Sequence, residues 1–71
     1  MPLIQVHMLE GRAIEQKRQI IEAMTKVMID VCGSSPDRVT VLIHEMDADN
    51  WGRGGVTMTE ERRTADGSAN R

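Results

Sequence analysis

The spacing of apolar residues along the chain changes period twice. Residues 2–9 alternate as a strand does: Ile4, Val6 and Met8 fall on one face, and Leu3, Gln5, His7 and Leu9 on the other. Glu10-Gly11-Arg12 ends the alternation, and Gly11 permits a turn that other residues resist. From Ile14 to Cys32 a helical stripe takes over through Ile20, Ile21, Met24, Val27, Met28 and Val31. Glu15, Gln16, Lys17, Arg18, Glu22, Lys26 and Asp30 form its wet side, with Glu22 and Lys26 spaced to pair. Gly33 is a natural stop, whereas Ala13 offers no side chain to cap the start. Alternation returns over residues 38–46, with Val39, Val41, Ile43 and Glu45 on one face and Thr40, Leu42, His44 and Met46 on the other. Asp47-Ala48-Asp49-Asn50 reads as a turn, and the glycine-rich stretch 51–58 as a small hairpin. From Thr59 the chain is polar, and residues 59–71 are expected to be a poorly ordered tail unless they dock on a neighbour.

Strand, helix, strand predicts a right-handed crossover and a parallel pair. The expected fold is therefore a small α/β (α+β) domain over 1–71, a β-α-β unit with a C-terminal hairpin. Two strands and one helix do not make an independently stable sheet, so a second subunit is expected to complete it. Size points the same way: a chain of 71 residues buries too little surface to be more than marginal alone. Small scaffolds add disulfides, metals or self-association. Cys32 is the single cysteine, which excludes an intrachain disulfide, and it reads as a small buried hydrophobe. His7, His44 and Cys32 lie too far apart in sequence for a metal motif, and the histidines read as ordinary strand residues. Self-association remains.

The net charge of −2, with mixed signs, gives no nucleic-acid footprint. No apolar run approaches the ~20 residues of a membrane span. No export signal is visible, so a cytoplasmic location is expected. The glycines at 52–55 lack the spacing and following helix of a phosphate loop.

The candidate chemistry lies at Pro2. Once Met1 is trimmed, as a small neighbour favours, the ring nitrogen of Pro2 becomes a free secondary amine. Terminal amines titrate near 7.7–8.0, so such a group acts as a base around neutrality. Arg12 can hold a carboxylate in a bidentate grip and keep a nearby amine neutral by its charge. Trp51, the chain's one large ring, would exclude water, and Arg38 and Arg53 are further cations.

Pro2, the run Val6-His7-Met8-Leu9-Glu10-Gly11-Arg12, Glu15-Gln16-Lys17, Glu45-Met46, and Trp51-Gly52 followed by Gly54-Gly55 together resemble the 4-oxalocrotonate tautomerase family over about the first 58 residues. The resemblance implies two protomers sharing a four-stranded sheet and three such dimers forming a homohexamer. It implies a cofactor-free and metal-free isomerisation of a small unsaturated 2-hydroxy or 2-oxo acid such as 2-hydroxymuconate, in aromatic catabolism. By the same resemblance Pro2 is general base and acid, and Arg12, from a neighbouring subunit in that family arrangement, binds a substrate carboxylate. Trp51 takes the place of the family's aromatic residue, and the Leu9 amide contacts substrate. Thr40 occupies the position of a second arginine. Threonine supplies a hydrogen bond but no charge, and an oxyanion donor is often worth ~3 kcal/mol. Arg53, beside Trp51, is the better substitute, and a different subunit in a hetero-oligomer is another source of the missing arginine. Two other readings are a hydratase or dehalogenase on the same scaffold, for which only Asp49 lies near Trp51 as a water-activating acid, and a non-catalytic hexameric binding protein.

Overall fold

In the computed structural model, residues 2–65 are described. The chain runs β1 (Leu3–Leu9), α1 (Ile14–Cys32), β2 (Thr40–Met46), β3 (Gly52–Arg53), β4 (Val56–Thr57) and α2 (Met58–Ala65), with 3-10 turns at Pro36–Arg38 and Ala48–Asn50. The expected β-α-β unit forms. β1 and β2 pair in parallel, from Leu3 against Thr40 to Leu9 against Met46. β3 and β4 make the hairpin, antiparallel, with Gly52 opposite Thr57. Its two-residue turn is Gly54-Gly55, at φ 64° and 84°. Both values are positive, as a turn matched to strand twist requires, and glycine reaches them without steric cost. Arg38 lies in the 3-10 turn before β2, outside the strand.

Helix α1 solves its uncapped start from within. Gln16 turns back so that its Oε1 accepts the Ala13 N–H at 3.0 Å, and alanine offers nothing in return. Arg18 grips Glu15 at 2.6 and 3.1 Å. Hydrogen bonds from Arg18, then Gln19, hold the Glu15 carboxyl below the usual carboxylate range. That exposed contact is present above the range and fades as pH falls through it. The expected Glu22–Lys26 pair does not form, because Lys26 turns the other way along the helix and bonds Asp30 at 2.6 Å. At the far end the Gly33 N–H donates to Ile29 O at 3.0 Å.

Ile4, Val6 and Met8 with Val41 and Ile43 form the half-buried sheet face, and Lys17 ties the helix to this layer through Glu45 at 2.9 Å. No described residue is fully buried. Ile20 and Met28 of the helical stripe are half-buried, while Val27 remains 51% exposed and Val31 77% exposed. Cys32, expected to be buried, is exposed, because the helix outruns the two strands beneath it. A second bare apolar surface lies on the opposite side of the sheet, where Leu3 is 55% and Leu42 41% exposed. Full burial of such a side chain is worth about 1.5–3 kcal/mol, and covering the half still exposed about half of that. The chain thus presents two apolar surfaces on opposite sides of one sheet. On the second of them the parallel register places His7 beside His44, and their rings stack at 4.7 Å. Among the described residues, no group of three or more histidines, cysteines and acids is placed to hold a metal, and no helix is long and apolar enough to cross a membrane.

The tail expectation fails at its start. Residues 58–65 are helical, and 66–71 lie outside the described residues. Thr57 and Glu60 build a reciprocal cap: the Thr57 N–H and Oγ1 reach Glu60 Oε1 at 2.9 and 3.1 Å, and the Glu60 N–H reaches Thr57 Oγ1 at 3.2 Å. Two orphan amides of the first turn are satisfied at once, which is what allows so polar a segment to be helical.

Candidate active site

One end of the molecule gathers the end of β1, the hairpin and α2 around a cleft of about 580 Å³, a size suited to a small metabolite. Leu9, Glu10, Gly11 and Arg12 line it from the turn between β1 and α1, Trp51 and Arg53 from the hairpin, and Met58 and Arg62 from α2.

Each wall is held locally. Glu10 is anchored by its N–H to Met46 O at 2.8 Å, which extends the β1–β2 ladder by one residue. Gly11 then reverses the chain at φ 124°, a conformation L side chains rarely adopt. Arg12 is aimed by that turn. Gly11→Ala is therefore expected to cost about 1–2 kcal/mol through backbone strain, although a Cβ there meets nothing within 4 Å. Both the unfolding temperature at fixed chain concentration and kcat/KM should fall.

Trp51 follows a 3-10 turn closed by Asp47, whose carboxylate accepts the Asp49 and Asn50 N–H groups at 3.0 and 3.1 Å. Its carbonyl accepts the Met58 N–H at 2.8 Å, closing the base of the hairpin. Helix α2 is tied to this frame by a hydrogen bond from the Thr59 hydroxyl to Asp49. Arg53 makes a second tie, with one guanidinium nitrogen 2.8 and 3.2 Å from the two Glu61 oxygens.

Leu9, Arg12, Trp51 and Arg53, four of the six residues singled out in the sequence, thus meet at one cleft. Pro2 and Thr40 do not. They adjoin one another at the opposite end of the sheet, where the Thr40 N–H donates to Pro2 O at 3.0 Å. Strand β1 separates Pro2 from Leu9, a span of about 23 Å at the usual rise per residue. A single chain cannot bring the Pro2 nitrogen to its own Arg12.

Glu10, Gly11, Met58 and Arg62 line the cleft without having been site candidates, and Arg62 is the cation among them. The signal was present in Thr57-Met58-Thr59-Glu60, the spacing of a capping box, which announces a helix and places Arg62 in its second turn. Glu10 is the single carboxylate lining the cleft against three arginines, so the cleft favours anions.

A family model described as tautomerase enzyme matches residues 2–61. The chain is 42% identical over 60 residues to the 2-hydroxymuconate tautomerase of Comamonas testosteroni, covering 84% of this chain and 95% of the relative. Its fold superposes with TM-score 0.83 and 33% identity on a 4-oxalocrotonate tautomerase homologue of the tomaymycin biosynthetic pathway, covering 86% of this chain and 94% of that one. A heterohexameric 4-oxalocrotonate tautomerase from Chloroflexus aurantiacus superposes with TM-score 0.79 and 32% identity, covering 84% and 97%.

Proposed function

The chain belongs to the tautomerase family and is an isomerase, and from that premise we propose that it ketonises a small unsaturated 2-hydroxy acid such as 2-hydroxymuconate, with Pro2 as base and acid after removal of Met1. The observation that carries this reading is the anion-favouring cleft holding Arg12 and Trp51 in a chain whose family match begins at Pro2. The neutral Pro2 nitrogen takes the proton of the 2-hydroxyl group. The O–H bond breaks, the C2 carbonyl forms and the conjugated double bonds shift. The protonated Pro2 then gives a proton to C5, and the amine returns neutral. Nothing is consumed, and the chain's own residues suffice. Arg12 holds a carboxylate in a bidentate grip, the Leu9 amide contacts the substrate, and the Trp51 ring keeps water from the reacting carbons.

Because Pro2 and Arg12 lie at opposite ends of β1, the Pro2 of one copy works in the cleft of another. A trimer of dimers accommodates this, and the two bare apolar surfaces on opposite sides of the sheet support two kinds of contact between chains. A heterohexamer is the second arrangement, favoured by the uncharged Thr40 beside Pro2 and by the heterohexameric structural relative.

Ketonisation of 2-hydroxymuconate and of phenylenolpyruvate, followed by loss of enol absorbance on protein whose intact mass lacks Met1, tests the reading. No acceleration over buffer with either acid sinks it. Arg53 contributes to the cleft wall with its charge balanced by Glu61, so Arg53→Ala is expected to lower kcat/KM by only about three- to tenfold. An unchanged kcat/KM on the true substrate would remove Arg53 from the site.

A further inference from the structure

We infer that Arg62 is the second carboxylate-binding cation of the cleft and that it selects dicarboxylate over monocarboxylate substrates. The inference rests on the reading above and names the substrate class of that same site.

Four observations lead to it. Thr40 brings no charge, and it lies at the far end of the chain's own sheet. Arg53 lines the cleft, but its guanidinium is engaged by both Glu61 oxygens. Arg12 and Arg62 form no ion pair among the described residues, and both line the cleft that Trp51 lines. They come from different elements, Arg12 from the turn after β1 and Arg62 from α2. An extended conjugated acid with a carboxylate at each end can therefore engage one guanidinium with each end. A monocarboxylate satisfies one and leaves the other to solvent.

The helix that carries Arg62 is also held in place. The Thr57–Glu60 cap, the Thr59–Asp49 hydrogen bond and the Arg53–Glu61 pair fasten α2 on the residues immediately before Arg62. A cation on a fastened helix loses less freedom on binding than one on a loose tail. Glu61 neutralises Arg53 and leaves Arg12 and Arg62 as the cleft's unpaired arginines among the described residues.

Trp51 is the single tryptophan, so its fluorescence reports occupancy without turnover. The probes are trans,trans-muconate and sorbate, six-carbon trans,trans-dienoates with two carboxylates and one. Neither carries an enol hydroxyl, so neither can ketonise. The full chain should bind muconate more tightly than sorbate. Arg62→Gln should weaken muconate binding roughly 10- to 100-fold while changing sorbate binding less than about threefold. Arg62→Lys should recover part of the muconate loss, because it restores charge without the fork geometry. In turnover, the same variants should raise KM for 2-hydroxymuconate and leave kcat nearly unchanged. Equal losses for both probes, no loss for muconate, or a wild-type protein with no preference between them overturns the inference. So does an Arg62→Lys variant no better than Arg62→Gln when both retain the wild-type helical circular dichroism. A wild-type protein that discriminates the probes through Arg62 yet ketonises no enol acid leaves this inference standing and removes the tautomerase chemistry instead.

Discussion

Pro2→Ala should ketonise 2-hydroxymuconate about a hundredfold more slowly than the wild type while keeping its fold and assembly. The prediction separates chemistry from structure because the backbone bond Pro2 makes to the sheet is through its carbonyl, which accepts the Thr40 N–H at 3.0 Å. Alanine keeps that carbonyl. What it loses is the secondary amine, whose ring restricts where the lone pair points and shields it from water. A terminal alanine amine is freer and better solvated, so it is a poorer base in a site this sparse. Retention of Met1 is the stronger test, since it converts the Pro2 nitrogen to an amide with no basic lone pair. Protein that retains Met1 should be inactive. For the trimmed enzyme, kcat/KM should rise with pH to a plateau as the terminal amine loses its proton. Equal rates for the wild type and Pro2→Ala would end the assignment.

Mixing two impaired variants should raise activity above either alone. Pro2→Ala removes the base, and Arg12→Ala removes the carboxylate grip at the other end of β1, at a cost of roughly 10- to 100-fold in kcat/KM. Each variant alone keeps only a small residual rate. Within one chain β1 puts Pro2 about 23 Å from Leu9, and Arg12 lies beyond the turn that follows. If each site takes its proline from one copy and its arginine from another, an equal mixture of unfolded chains refolded together contains some intact sites. Each intact site needs the proline of an Arg12→Ala chain and the arginine of a Pro2→Ala chain. With random assembly into a closed oligomer about a quarter of the sites are intact. Activity near that fraction supports a shared site. Activity equal to the mean of the two residual rates would show that proline and arginine come from the same chain. The experiment also reads the assembly itself, since a chain in which no described residue is buried has little to fold around alone.

The hydrophobic pattern carried most of the fold. β1 and β2 follow from alternation, α1 from a stripe of helical period, and the parallel pairing from their order, because these periods reflect where backbone geometry points successive side chains. The hairpin was legible in Gly54-Gly55, whose two positive φ values are a local property of glycine. Helix α2 was hidden behind its polarity. Its capping box is written in the sequence, but with no apolar stripe beside it the signal was outweighed by charge. The ion pairs divide similarly. Glu22–Lys26 has a favourable spacing, yet Lys26 chose Asp30, since two acids four residues away on either side compete for one flexible side chain. Lys17–Glu45 joins residues 28 apart in sequence and was visible only once helix and strand were packed.

By itself the sequence determined the order of the elements and the family, and it raised the expectation of a terminal amine at Pro2 and of a second copy. These depend on residue identity, local periodicity and the ratio of surface to volume. Tertiary structure decided which residues share a site. It brought Leu9, Arg12, Trp51 and Arg53 together, added Arg62, engaged Arg53 with Glu61, and set Pro2 and Thr40 at the far end of the sheet. Those outcomes rest on how strand length, turn geometry and competition among charges combine in space, and residue spacing along the chain does not encode that combination.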